Sequence, residues 1–144
     1  MSYKLLIGDE NVTEQFEIEK GAIRSFAHAI GDKNPLYYDE AYAKAKGYKS
    51  IVAPLTFPTT FRGQIPKWFQ DLDRNLLLHG EQVYQYKRRL CAGETITLTD
   101  KVIDVYEKQS KNGKLTFIVR ERKGFDISNN EIFKEQMTLI IRGE

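Results

Sequence analysis

At 144 residues, with 41% hydrophobic and 29% charged side chains, the chain has the length of one domain and enough apolar content for a core, which argues against disorder. Its 22 basic and 20 acidic residues are interspersed and leave a formal charge of +2, which excludes the basic stripe of a nucleic-acid binder. One cysteine, Cys91, excludes an intrachain disulfide, and no signal-peptide pattern or long apolar run is present, so a single domain over residues 1–144, in the cytoplasm and off the membrane, is expected. No metal and no cofactor are expected.

A first strand is placed near Phe16 to Ile18. Ile23, Phe26, Ala27 and Ile30 then recur at the spacing of one helical face, and Gly31 follows where a left-handed C-terminal cap belongs. Asp32 is thereby set just past a helix end. Pro35 pushes Asn34 toward an extended conformation, so Asp32 and Tyr37 should project from an ordered loop. Asp39 can cap a short helix through Ala41, Tyr42 and Ala45 that stops at Gly47. A third helix is placed from Pro54 and Pro58, with Phe57 and Phe61 on one face, weakened or ended by Gly63 and Pro66. Trp68, Phe69 and Leu72 form a short amphipathic cover.

From Leu76 onward the period changes to two. Tyr84 and Tyr86 alternate with Val83 and Gln85, Ala92-Gly93-Glu94 makes a turn, and Thr95, Thr97 and Thr99 alternate with Ile96 and Leu98. Alternation of this kind marks half-exposed antiparallel strands. Asn112-Gly113 signals a tight hairpin, and an Asn129-Asn130 turn precedes a last strand from Ile132 to Ile141.

The run Gly31-x-Asp32-x-Asn34-Pro35-x-Tyr37 resembles the Gly/Ser-x-Asp-x-Asn-Pro-x-His motif of the MaoC-like (R)-specific hydratases and 3-hydroxyacyl thioester dehydratases. Gly47 to Phe57 resembles the family's second region, and the likeness is to the N-terminal, FAS1-type dehydratase-like hot-dog domain. It implies an α+β hot-dog fold, an antiparallel sheet of about five or six strands wrapped around a central helix. It also implies action on, or binding of, acyl thioesters of coenzyme A or acyl carrier protein, in fatty acid metabolism. The implied assembly is a homodimer or a heterodimer with a catalytic hot-dog subunit.

In the family, as the resemblance implies, histidine is the acid/base, aspartate activates water, and a backbone amide at the start of the central helix stabilises the thioester oxygen. Histidine suits the task because it both takes and returns a proton near neutrality. This chain carries Asp32 but has Tyr37 at the histidine position, and tyrosine, with a reference pKa near 10, is a far poorer base. It has Ala53-Pro54 where the family has His-Gly. Proline has no N–H, so Leu55 or Thr56 would have to supply the oxyanion contact.

The catalytic candidates are therefore Asp32 with Tyr37 or His79, and the substrate-binding candidates are Asn34, Pro54, Leu55, Thr56, Phe57 and Phe61. Asp32 is expected to sit opposite the opening turn of the buried helix, with room between them for an acyl thioester. For Tyr37 the alternative is an aromatic packing group, for Asp32 a carboxylate that caps backbone amides, and for the phenylalanines plain core packing. Tyr37 and Pro54 together resemble the non-catalytic half of two-subunit dehydratases. Lys87-Arg88-Arg89 is read as a solvated strand end, or else as an attraction for the phosphates of the thioester carrier.

Overall fold

The structure is a computed structural model and describes residues 3–11 and 13–143. Strand β1 (Glu14–Glu17) leads into helix α1 (Lys20–Ala29), a 3₁₀ turn (Pro35–Tyr37), helix α2 (Glu40–Ala45), a 3₁₀ helix (Phe57–Thr60) and helix α3 (Lys67–Gln70). Four strands follow: β2 (Leu77–Tyr86), β3 (Thr95–Ser110), β4 (Gly113–Phe125) and β5 (Glu131–Arg142). They form one antiparallel five-stranded sheet in the order β1-β3-β4-β5-β2. The α+β layout and the change of period at Leu76 agree with the sequence. Among the described residues no helix is long and apolar enough to cross a membrane.

Helices α1 and α2 end in the same way, for the same reason. Gly31 adopts φ +71 and Gly47 φ +95, backbone angles that cost glycine nothing. The Gly31 and Asp32 amides donate to His28 and Ala27, and the Gly47 and Tyr48 amides to Lys44 and Ala43. This pair of bonds closes each helix by satisfying its last carbonyls. At the start of α2 the Asp39 carboxylate accepts from the Tyr42 amide at 3.1 Å.

The inner face of the sheet follows the period-two pattern. Ile96, Leu98, Val102, Ile118, Leu139 and Ile141 are all buried, and a bulge between Val102 and Asp104 shifts the phase so that Val105 turns inward next. Two apolar clusters result. One packs Ile23 and Ala27 of α1 with Tyr37, Phe57 and Phe61 against Ile96, Ile132 and Phe133, and the other packs Trp68 against Val102, Ile118 and Leu139.

The segment after Pro54 differs from the expected helix. It makes only the 3₁₀ helix Phe57–Thr60 and then runs extended to Pro66. Pro58 and Pro66 remove backbone donors, and the Thr59 and Thr60 hydroxyls donate to the carbonyls of Thr56 and Phe57 at 2.8 Å. Arg122 of β4 then takes the Pro58 and Phe61 carbonyls, both at 2.8 Å, that a continuing α-helix would have given to amides of its next turn. Glu14 of β1 accepts from the Gln64 amide at 2.6 Å. Arg122 and Glu14 thus tie the segment across the inner face of the sheet.

Candidate functional site

The Asp32 turn is held by its own polar groups. Asp32 Oδ1 accepts from the Asn34 amide at 3.0 Å, Asn34 Oδ1 accepts from the Leu36 amide at 3.0 Å, and the Tyr38 hydroxyl donates to the Asp32 carbonyl at 2.7 Å. Asn34 therefore acts as the cap of the 3₁₀ turn Pro35–Tyr37. Asp32 is half-buried, while the Tyr37 side chain is buried in the apolar cluster with Phe57 and Ile23. The Val52 amide donates to the Leu36 carbonyl at 2.8 Å, which joins this turn to the strand-like run Ile51 to Ala53 and so to Pro54.

At Pro54 the chain turns: the Phe57 amide donates to the Pro54 carbonyl at 2.9 Å and the Tyr86 hydroxyl to the Leu55 carbonyl at 2.6 Å. Among the described residues the Leu55 and Thr56 amides have no acceptor, and both residues are exposed. They are the donors available to an oxyanion at this turn. A four-residue 3₁₀ helix behind them aligns few peptide dipoles, so the electrostatic help of a long helix is missing. Phe57 is buried, with its ring edge-on to Phe26 and Phe61 at 5.6 Å in each case.

A cavity of about 470 Å³ lies elsewhere, between the inner face of the sheet and the extended segment after Phe57–Thr60. Its apolar walls include Phe16, Phe61, Ile65, Phe69, Leu98 and Met137, and its polar groups include His79, Gln82, Asp100, Arg120 and Arg122. Of the sequence-derived site residues it brings together Phe61, stacked on Phe16 at 5.1 Å, and the exposed His79. Asp32, Asn34, Tyr37, Pro54, Leu55, Thr56 and Phe57 do not line it. Of the amphipathic cover, Phe69 lines it and Trp68 packs in the core behind. Neither this cavity nor the smaller one lined by Tyr48, Arg88 and Cys91 lies between Asp32 and the opening turn, where the sequence leads us to expect one.

The polar floor of this cavity is the part that sequence reading missed. Register places Asp100, Arg122, Glu135 and Tyr84 directly opposite one another across β3, β4, β5 and β2. Arg122 Nε donates to Glu135 Oε1 at 2.5 Å, and Gln82 donates to Glu135 Oε2 at 2.8 Å and to the Tyr84 hydroxyl at 2.7 Å. Arg120 pairs through Nε and Nη2 with both oxygens of Asp100. Burial alone would push the Glu135 carboxyl up; the hydrogen bond and charge of Arg122, helped by Tyr84 and Gln82, outweigh it and hold it below its ordinary value. Burial pushes the phenols of Tyr84 and Tyr86 upward, so both stay neutral hydroxyls at neutral pH. The available signal was phase: Arg120 and Arg122 share the buried alternation of Ile118, and Glu135 that of Phe133 and Leu139.

Geometry therefore separates two regions. The Asp32 turn offers a half-buried carboxylate, and the half-open cavity offers apolar walls with oriented donors. The matches to known proteins agree with this architecture. A model of the FAS1-like dehydratase domain region matches residues 5–135. A UPF0336 protein of Thermobifida fusca is 33% identical over 138 residues, covering 91% of this chain and 87% of that protein. Among solved structures, the C-terminally truncated HadBC (3R-hydroxyacyl-ACP dehydratase) complex of Mycobacterium tuberculosis superposes with a TM-score of 0.78 at 20% identity, over 94% of this chain and 96% of the matched one. The ChsH1-ChsH2 complex of the same organism does so with a TM-score of 0.75 at 22% identity, over 94% of this chain and 87% of the matched one. With nearly its whole length matched by one family model and its sheet shared with these structures, the chain belongs to the FAS1-like dehydratase domain region family and has the hot-dog fold.

Proposed function

We propose that this chain binds the acyl group of a coenzyme A or carrier-protein thioester as the non-catalytic half of a two-chain hot-dog dehydratase or hydratase, one domain over residues 1–144 working in the cytoplasm in fatty acid metabolism. The observation that carries this reading is the separation just described. The half-open cavity is not lined by the Asp32 motif, and the motif's histidine position is a tyrosine buried in the core. Pro54 removes the usual amide donor at the thioester oxygen. The structural neighbours in HadBC and ChsH1-ChsH2 are themselves parts of two-chain complexes, which supports a partner that brings the acid/base pair.

The test is hydration of a short enoyl-CoA, followed by loss of the conjugated thioester absorbance. The purified chain alone should be inactive, and adding a hot-dog subunit that carries the Asp-and-His motif should restore turnover. Phe61→Ala should weaken acyl-CoA binding by the chain, because it removes a cavity wall. Full turnover by the chain alone would overturn the reading. It would favour the second one, motivated by His79 at the cavity: a homodimeric hydratase in which Asp32 works with His79 or Tyr37. In that case Asp32→Asn would abolish the rate, and so would whichever of His79→Ala and Tyr37→Phe removes its partner.

A further inference from the structure

The floor of the cavity is chemically unlike what a saturated acyl chain needs. An alkyl chain laid over guanidinium and amide groups would strip them of water and return no hydrogen bond, so a pocket for plain fatty chains is expected to be apolar throughout. Here Gln82, Asp100, Arg120 and Arg122 line it instead. Two of the N–H groups of Arg120 go to Asp100, and three of those of Arg122 go to Glu135, Pro58 and Phe61. A guanidinium carries more donors than that, so both retain N–H groups for a guest.

The charge of the floor is balanced, Arg120 by Asp100 and Arg122 by Glu135. At the rim Arg62 and Glu14 have opposite signs. No excess positive charge is left to hold a carboxylate or a phosphate, and what remains is a donor-rich, neutral surface facing apolar walls. Its complement is an acyl group with an apolar body and an uncharged oxygen along one edge.

We propose that the cavity selects acyl groups carrying a hydroxyl or keto oxygen beyond the thioester region over saturated acyl groups of the same length. This rests on the acyl-binding reading above and names the substrate class for it. The test is equilibrium binding of decanoyl-CoA and its mid-chain and terminal hydroxy and oxo derivatives to the full chain. At least one oxygenated derivative should bind about tenfold more tightly, the worth of one hydrogen bond to a charged group.

In the double variant Asp100→Leu/Arg120→Met that preference should fall at least severalfold. The swap removes the Arg120 donors without leaving a lone buried charge, while Arg122 and Gln82 stay in place. Arg120→Lys, which keeps the charge but loses the planar fork, serves if the double variant shows no cooperative thermal transition, and it should also reduce the preference. Equal binding of all derivatives, or a preference that survives these substitutions, overturns the specificity proposal and leaves acyl binding standing. Failure of every derivative, decanoyl-CoA included, to bind with or without a partner subunit overturns both.

Discussion

In the Asp32 turn each side-chain hydrogen bond joins residues two to six positions apart, whereas in the cavity floor Arg122 reaches 13 positions forward to Glu135 and 61 and 64 positions to Phe61 and Pro58. The turn builds itself from local chemistry and exposes its polar groups to water. The floor exists only when β4, β5 and the segment after Pro54 have all come together, and its charges are then largely buried. A local polar motif can be altered at small cost, while a non-local buried one fails as a unit.

The sharpest break of that comparison is Glu135→Gln. Glu135 is fully buried and Arg122 nearly so, and removing the carboxylate leaves a guanidinium charge without its counter-ion. Urea unfolding should show a loss of about 3–5 kcal/mol. The same variant tests the pH dependence. The folded-state pKa of Glu135 lies below its ordinary value of 4.5, so its contribution is fully present above that pH and fades as the pH falls through the folded-state value. The parent should therefore lose stability on acidification more steeply than Glu135→Gln; parallel pH profiles would mean that the pair does not form.

Next in size is Gly124→Ala. A Cβ at Gly124 would lie 2.2 Å from a ring carbon of the buried Phe133, near the end of β4. The ring cannot move without disturbing Tyr86, whose ring centroid is 5.6 Å away. A loss of about 1–3 kcal/mol is expected from this overpacking. Gly31→Ala tests the local region by a different mechanism. Nothing lies within 4 Å of a Cβ there, so the cost comes only from holding a side chain at φ +71 and should be about 1–2 kcal/mol. Thermal unfolding of the two variants ranks steric against conformational cost directly.

This contrast also explains what could be read from the sequence. The Gly31 and Gly47 helix ends, the Asp39 cap and the change to period two at Leu76 are decided within a few residues, and all appear in the structure. The hairpin loop between Ser110 and Gly113 is equally local. The absence of a helix after Pro54 was partly legible, since Pro58, Gly63 and Pro66 crowd one segment. Its tether was not, because Arg122 and Glu14 are far away in the chain. The cavity floor needed the register of four strands, and a single sequence does not fix register between strands separated by long connections.

The smallest expected effect is also the most discriminating. In Asp32→Asn the side-chain oxygen can still accept from the Asn34 amide, the one side-chain bond that shapes the turn there, and the Tyr38 hydroxyl still finds the backbone carbonyl of residue 32. Stability should stay within about 0.5 kcal/mol of the parent. Under the two-chain reading, acyl-CoA binding and turnover of the mixed complex should also be unchanged, because Asp32 does not line the cavity. A folded Asp32→Asn chain whose mixed complex has lost turnover would reverse the comparison with which the two regions were set apart. The locally built turn would then carry a charge that the reaction needs, and the donors at Leu55 and Thr56 would have to act with it across the same thioester.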